Sequence, residues 1–393
     1  MLLSVSCGAF AASSQQAAGT VCADIAVPDV RCTTVTVVEN RVTGKGRTIA
    51  LRVAVLPARG SGRAPDPVFF LAGGPGQAAT DMLGDPGMSR HPAGERRDLV
   101  FLDQRGTGLS SPLICNLYPP ADYARGRFAN FMPIDRVRAC RRALEGKADL
   151  TQYTTAVSVA DIEETRKALG HQRINLAGTS YGTRLAMEYL RTHPANVRSV
   201  MLDGAVPPSL KMPDGFGRAA QQALDGLLDE CAGTAACGQA FPDIRARSRE
   251  VFERLARAPI TTRLKAQASS VTMTRNNVAE AIRYMTYSSR EASRVPRLLH
   301  RAHQGDFTGI AEYLFRRRTP GTFEALYLSI TCTEDVPFSP QGCRRPRPAN
   351  LSWELSHPRA ADRMRRVAPQ KGSAMARRGC SLGCARPDHH GDA

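Results

Sequence analysis

The chain has 393 residues, is 42% hydrophobic and carries a formal net charge of +17. Its length suits one large α/β domain with an inserted subdomain. The charge raises nucleic acid or an anionic membrane as partners, but Lys and Arg are dispersed, few aromatic residues interleave with them, and the last 50 residues alone hold 11 Arg/Lys against 4 Asp/Glu. Nucleic-acid binding is therefore set aside.

The chain opens on a short apolar stretch ending in Ala9-Phe10-Ala11, the pattern of a signal peptide over residues 1–21. No later apolar run is long enough to span a bilayer, so the expected location is exported, periplasmic or secreted. Eleven cysteines fit that compartment. Cys22/Cys32, Cys115/Cys140 and Cys231/Cys237 are close enough in sequence to pair, and Cys332 is left over. No Cys-x-x-Cys pair faces a second one, so neither a metal site nor a cofactor is expected.

Residues 33–57 alternate apolar and polar and read as two antiparallel strands with a turn at Gly44-Lys45-Gly46. Val68-Phe69-Phe70-Leu71 and Leu99-Val100-Phe101-Leu102 are continuous apolar runs suited to buried strands. The first runs into Ala72-Gly73-Gly74-Pro75-Gly76, the second into Asp103-Gln104-Arg105-Gly106-Thr107-Gly108. Residues 157–169 have helical spacing and stop at Gly170. A strand from Ile174 leads into Gly178-Thr179-Ser180-Tyr181-Gly182 and a helical pattern leaves it. Residues 197–204 read as another buried strand, closed by Pro207-Pro208. Strand–helix alternation of this kind argues an α/β fold with a mostly parallel sheet covered by helices. Residues 209–325 become helical without strong strands and read as a cap inserted after the sixth strand, which would shape a pocket and exclude water. The expected divisions are a core over 22–208, the cap over 209–325, a return to the core over 326–338, and an aberrant tail over 339–393.

The strand–turn–serine–helix order at Ser180 is what a nucleophile elbow needs. Glycines flank the serine because its backbone is strained and its neighbours crowd together. The five-residue pattern is weak alone. Together with Gly73–Gly76 and the Asp103–Gly108 turn, in that order and spacing, it resembles the α/β-hydrolase fold, most closely its proline iminopeptidase and tripeptidyl aminopeptidase branch. The resemblance covers about residues 22–338. It implies Ser180 as nucleophile, and an oxyanion hole made by the Tyr181 N–H and an N–H of the Gly73-Gly74 loop. It implies a peptide substrate. Relatives carry His before the two glycines, where this chain has Ala72. Asp103–Gly106 reads as a structural turn beside the site. Glu334 has two readings, an anion for a substrate α-ammonium or a loop cap.

A serine nucleophile needs a general base and an acid to orient it, in the chain order Ser, acid, His for this fold. Neither context follows Phe338. Between Ser339 and Ala393 the only Leu, Ile, Val or Phe are Leu351, Leu355, Val367 and Leu382, too few to fold. An out-of-frame translation accounts for this. Read from the second base of each codon, Trp353 becomes glycine and Met364 becomes cysteine, and Ala385 to Gly391 permit the missing apolar strand. The fold's C-terminal strand and helix are then absent, and one sheet edge should be exposed. His357, His389 and His390 fall in the tail, His193 reads as structural, and Asp203 has the position of an acid but no imidazole to orient. The expectation is an exported serine hydrolase of aminopeptidase type, crippled in this chain. The alternatives are a small-molecule esterase and a non-catalytic binding protein on a hydrolase scaffold.

Overall fold

The computed structural model describes residues 19–115, 117, 128, 132–265, 269–317 and 323–338. The signal-like segment, apart from its last three residues, and the tail from Ser339 lie outside the described residues. The chain divides into two units, Met1–Pro112 with Thr155–Pro207, and Leu113–Thr154 with Pro208–Ala393.

The first unit is built on a seven-stranded sheet of β1 (Thr20–Val21), β2 (Arg31–Val38), β3 (Thr48–Leu56), β4 (Val68–Leu71), β5 (Leu99–Leu102), β6 (Ile174–Thr179) and β7 (Val197–Asp203). The order is β1-β2-β3-β5-β4-β6-β7. The β1, β2, β3 and β5 neighbours pair antiparallel, and β5, β4, β6 and β7 run parallel. The alternating sequence of β2 and β3 gives the expected antiparallel pair, and the continuous apolar runs of β4 and β5 are buried at every position. Phe70 and Phe101 stack at 5.0 Å on one face of the sheet, in a cluster with Val30, Leu56 and Leu83.

Calling Ile134–Leu144 α1, the helices of this unit are α2 (Thr155–Ala168) and α3 (Tyr181–Thr192). They are joined by a buried polar contact. Tyr189 of α3 donates its O–H to Glu163 Oε2 of α2 at 2.7 Å, and Arg166 forks onto the same carboxylate. These donors hold the Glu163 carboxyl down to about 2.

One expectation is overturned here. Residues 197–204 were read as a buried strand, yet among the described residues β7 is the sheet edge, and Arg198 to Asp203 are exposed or half-exposed. Met201 and Leu202 stand 49% and 43% exposed. A run of apolar residues shows that a strand can be buried, but not that a neighbour exists to bury it.

The second unit holds α1 and the helices α4 (Phe216–Gly233), α5 (Ala235–Ala240), α6 (Ile244–Arg257), α7 (Arg275–Met285), α8 (Ser289–Ala292), α9 (Val295–His303), α10 (Thr308–Arg317) and α11 (Glu324–Ile330). It also holds a hairpin of β8 (Ile260–Leu264) and β9 (Ser269–Met273). The hairpin corrects the reading of 209–325 as helical without strong strands. Both strands are short and alternate, a signal that is weak beside long helical periodicity. Residues 113–154 and 326–338, expected in the core, belong to this second unit. Its own apolar core joins Leu224, Val251, Leu255, Met273, Ile282 and Leu299. Thr274 and Asn277 cap α7 reciprocally.

All three expected disulfides form, Cys22–Cys32, Cys115–Cys140 and Cys231–Cys237. Cys332 is in none of them. It is buried, and burial pushes its thiol up to about 12.

Two predictions follow from the polar packing of the first unit. The Arg105 guanidinium is fully buried against Asp161, at 2.6 and 2.7 Å. Asp161→Asn leaves that cation uncompensated and should cost about 3–5 kcal/mol, read as a fall in the urea midpoint with unchanged slope. The depressed Glu163 carboxyl stabilises the fold fully above the ordinary carboxylate range and loses that contribution as pH falls from 4.5 toward 2. Glu163→Gln should flatten the stability-versus-pH curve across that window by roughly 3 kcal/mol relative to wild type.

Candidate active site

The site grows from the carboxyl ends of the parallel strands, where loops of open α/β sheets carry function. β4 and β6 are neighbours, with Leu71 opposite Gly178. The segments that leave them, Ala72–Gly76 and Ser180–Gly182, therefore emerge side by side. An added Cβ on Gly73 would lie 3.0 Å from Ser180 Cβ and 3.1 Å from the Thr179 carbonyl oxygen. The Gly73 backbone is thus seated against the serine.

Ser180 has φ 54° and ψ −121°, a conformation that L-residues avoid and that costs on the order of 1–3 kcal/mol. The surrounding bonds over-determine it. Its N–H donates to the Asp203 carbonyl at 2.8 Å, and its own carbonyl accepts from the Thr183 N–H at 2.9 Å and from Thr183 Oγ1 at 2.6 Å. Thr183 Oγ1 accepts in turn from the Val206 N–H at 2.8 Å. The elbow is thereby tied to β7 and to the segment after it. The glycines are steric necessities. A Cβ on Gly182 would sit 1.9 Å from the Leu71 carbonyl oxygen, and one on Gly178 would sit 2.5 Å from the Gly182 oxygen.

Tyr181 opens α3, so its N–H belongs to the first turn, which intrahelical bonding does not consume. Its ring is fully buried, and its O–H meets Thr155 Oγ1 at 2.8 Å. That contact pins the first residue of α3 to the first residue of α2. The helix N-terminus then points its dipole at the serine, where negative charge would develop.

The Asp103–Gly108 turn is built as a brace. Asp103 Oδ1 accepts from the Thr80 N–H and Oγ1, both at 2.9 Å, and burial pushes this carboxyl above its ordinary value. Gly108 is required because a Cβ would strike Asp103 Oδ2. Gln104 donates to the Ala72 carbonyl at 3.4 Å, tying the turn to the strand end that carries Gly73. Arg105 reaches away from the serine, into Asp161 and the Glu39 carbonyl.

Among the described residues, Ser180 Oγ makes no capping bond, and no imidazole is brought to it. His193 closes α3 at the far end of a twelve-residue helix, roughly 18 Å long. It stacks on Tyr189 at 4.9 Å. His171 precedes β6, at the opposite end of that strand, and burial lowers its basicity. His91 caps a short turn through Ala93 and meets Phe70 edge-on. His300 and His303 contact Arg247 and Glu250 in the second unit. Asp203 is an exposed residue at the end of β7 whose carbonyl serves Ser180. Glu334 lies half-buried in a single π-helical turn, Thr331–Asp335, of the second unit, where its carbonyl accepts from Lys211 Nζ at 3.2 Å. His357, His389 and His390 lie outside the described residues. Among those described, no group of acidic, His and Cys side chains could hold a metal, and no helix is long and apolar enough to cross a membrane.

Sequence reasoning missed Thr183, Thr155 and Asp161. Thr183 is detectable as a hydroxyl three residues after the serine. Thr155 and Asp161 carry no local signal, because their partners are 26 and 56 residues distant.

This architecture is that of an α/β hydrolase. The alpha/beta hydrolase fold family model matches residues 66–331, and the chain belongs to that family. It is 32% identical over 215 residues to the serine protease Hip1 of Mycobacterium tuberculosis, covering 49% of this chain and 39% of that one. It is 32% identical over 138 residues to a proline iminopeptidase of Xylella fastidiosa, covering 35% and 32%. It is 32% identical over 123 residues to a tripeptidyl aminopeptidase of Streptomyces lividans, covering 28% and 22%. The chain thus spans well under half the length of these curated relatives.

Gly182→Ala should not yield a stably folded first unit, because the clash is with the Leu71 backbone oxygen of β4, an interior strand of the sheet. The milder Thr183→Val removes one acceptor and one donor at the elbow and should cost about 1–3 kcal/mol, measured by thermal and urea unfolding.

Proposed function

We propose that the chain is an exported serine hydrolase of aminopeptidase type. It cleaves peptide bonds near free N-termini through an acyl-enzyme on Ser180. The observation that carries this is the strained Ser180 backbone at the tip of β6, with the Gly73 backbone against its Cβ. Acyl transfer needs a serine lifted clear of the sheet and N–H donors pre-aimed at the tetrahedral oxygen. The Tyr181 N–H and an N–H of the Gly73-Gly74 loop take that role. The curated relatives that the chain matches carry peptidase names, which supports peptide over other acyl substrates.

Activation of the nucleophile is the incomplete part. With no imidazole at Ser180 Oγ among the described residues, catalysis falls to what the oxyanion hole and binding retain, about 10³–10⁴-fold over water. Resequencing the gene from the Cys332 codon onward should reveal a single-base change that restores a strand, an acid and a His. Expression from the restored frame should then raise aminoacyl-anilide hydrolysis by at least about 10³-fold.

The reaction class is tested on both products. A fluorophosphonate probe should label the chain slowly, and Ser180→Ala should abolish the label. A free aminoacyl-anilide should be cleaved and its N-acetylated form refused. Cleavage of a plain nitrophenyl ester with no anilide activity would install the esterase reading instead. Labelling that survives Ser180→Ala would remove the hydrolase reading and leave a binding protein.

A further inference from the structure

The turn that leaves β4 carries a side chain that the proposed acyl transfer does not use. Gly74 has φ +105°, and a Cβ there would meet the Gly76 nitrogen at 2.7 Å and the Gln77 nitrogen at 3.1 Å. Only glycine closes a turn this tight. The Gln77 N–H then donates back to the Gly73 carbonyl at 3.3 Å. These constraints fix the backbone from which the Gln77 side chain starts.

That side chain folds over Gly73. The point that a Gly73 Cβ would occupy is 3.1 Å from Gln77 Oε1 and 3.0 Å from Ser180 Cβ. Two contacts of that length put Oε1 no more than about 6 Å from Ser180 Cβ. The Thr179 carbonyl oxygen is 3.1 Å from the same point, so two oxygens flank the Gly73 α-carbon on the serine side. Gln77 and Ser180 are both exposed, and the Gln77 amide has no hydrogen bond among the described residues.

Two carbonyl oxygens make this side of the glycine electronegative. They favour an N–H donor, above all a charged one. The distance matches one donor in a substrate. In an amino acid the α-nitrogen lies roughly 2.5 Å from the carbonyl carbon of its own residue. For attack, that carbon must come within about 3–3.5 Å of the serine Oγ. The α-nitrogen of the residue that carries the scissile carbonyl is thus brought into the same neighbourhood of Ser180 as Oε1.

On the aminopeptidase reading of Ser180, which this inference rests on, we propose that Gln77 Oε1 accepts a hydrogen bond from the substrate α-ammonium, on the residue that carries the scissile carbonyl. Gln77 then selects for a free amine there. A neutral amide oxygen does this without setting a negative charge beside the carbonyl oxygen, on which negative charge builds during attack.

The test uses the full chain and two matched pairs of amides, leucinamide with 4-methylpentanamide and prolinamide with cyclopentanecarboxamide. The members of each pair differ in the α-nitrogen. Each compound competes with the fluorophosphonate probe for Ser180 near neutral pH. In at least one pair the amine should protect Ser180 at least about tenfold better than its nitrogen-free partner, the scale of one hydrogen bond to a charged group. Gln77→Leu should bring that pair close to parity. Gln77→Glu keeps an acceptor and should hold or raise the preference. Labelling without competitor reports that each variant is folded. A wild-type chain with no amine preference in either pair overturns the proposal. A preference that survives Gln77→Leu also overturns it, and leaves the aminopeptidase reading standing with the ammonium held by another group. Absence of any label that depends on Ser180 removes the hydrolase reading itself, and this proposal with it.

Discussion

The structure of the first unit depends on one backbone constraint, the positive φ of Ser180. A strand cannot turn into a helix over a single residue without leaving the ordinary dihedral regions, and only a dense set of bonds holds a non-glycine residue there. The Asp203 carbonyl and Thr183 supply those bonds. The glycines at 178 and 182 let the strand and helix come close enough for the bonds to form. The strain is therefore met by the sheet itself, since Asp203 ends β7, Leu71 ends β4, and both flank β6.

The arginine content reads differently once the fold is known. Arg105 and Arg41 converge on Asp161, Arg47 on Glu39, Arg97 and Arg198 on Asp66, and Arg166 on Glu163. In the first unit the Asp161 and Asp66 pairs join segments far apart in sequence, while Arg47–Glu39 and Arg166–Glu163 are local, and all use planar guanidinium forks suited to carboxylates. Much of the positive charge in this unit is thus committed to internal carboxylates. The Asp103–Gly108 turn belongs to the same framework. Its aspartate is saturated by Thr80, and its arginine is consumed by Asp161, which leaves Gln104 to link the turn to the Gly73 loop.

Much of the fold was legible because its signals are local. The four-residue apolar runs of β4 and β5, the alternation of β2 and β3, the helix stopping near Gly170 and the glycine–serine elbow each depend on residues within a few positions of one another. The three disulfides were legible for the same reason, since their loops are short. The hairpin of β8 and β9 was not, because five-residue alternating strands are outweighed by the helical periodicity around them. The exposure of β7 could not be read from its composition, since Val200, Met201 and Leu202 would suit a central strand equally well.

For the candidate site, the sequence by itself determined where the strained serine, its flanking glycines and the glycine loop that faces it would fall, because backbone strain and close approach restrict those positions to a few residue types. The tertiary structure alone decided which segments meet there. The parallel pairing of β4 with β6 brings Gly73 against Ser180 across more than a hundred residues. The packing of α2 on α3 gives Tyr181 its Thr155 partner, and among the described residues the sheet order leaves β7 at the edge. These are pairings between distant segments, and they are fixed by which buried surfaces and backbone ladders complement one another, information that no local pattern in the chain contains.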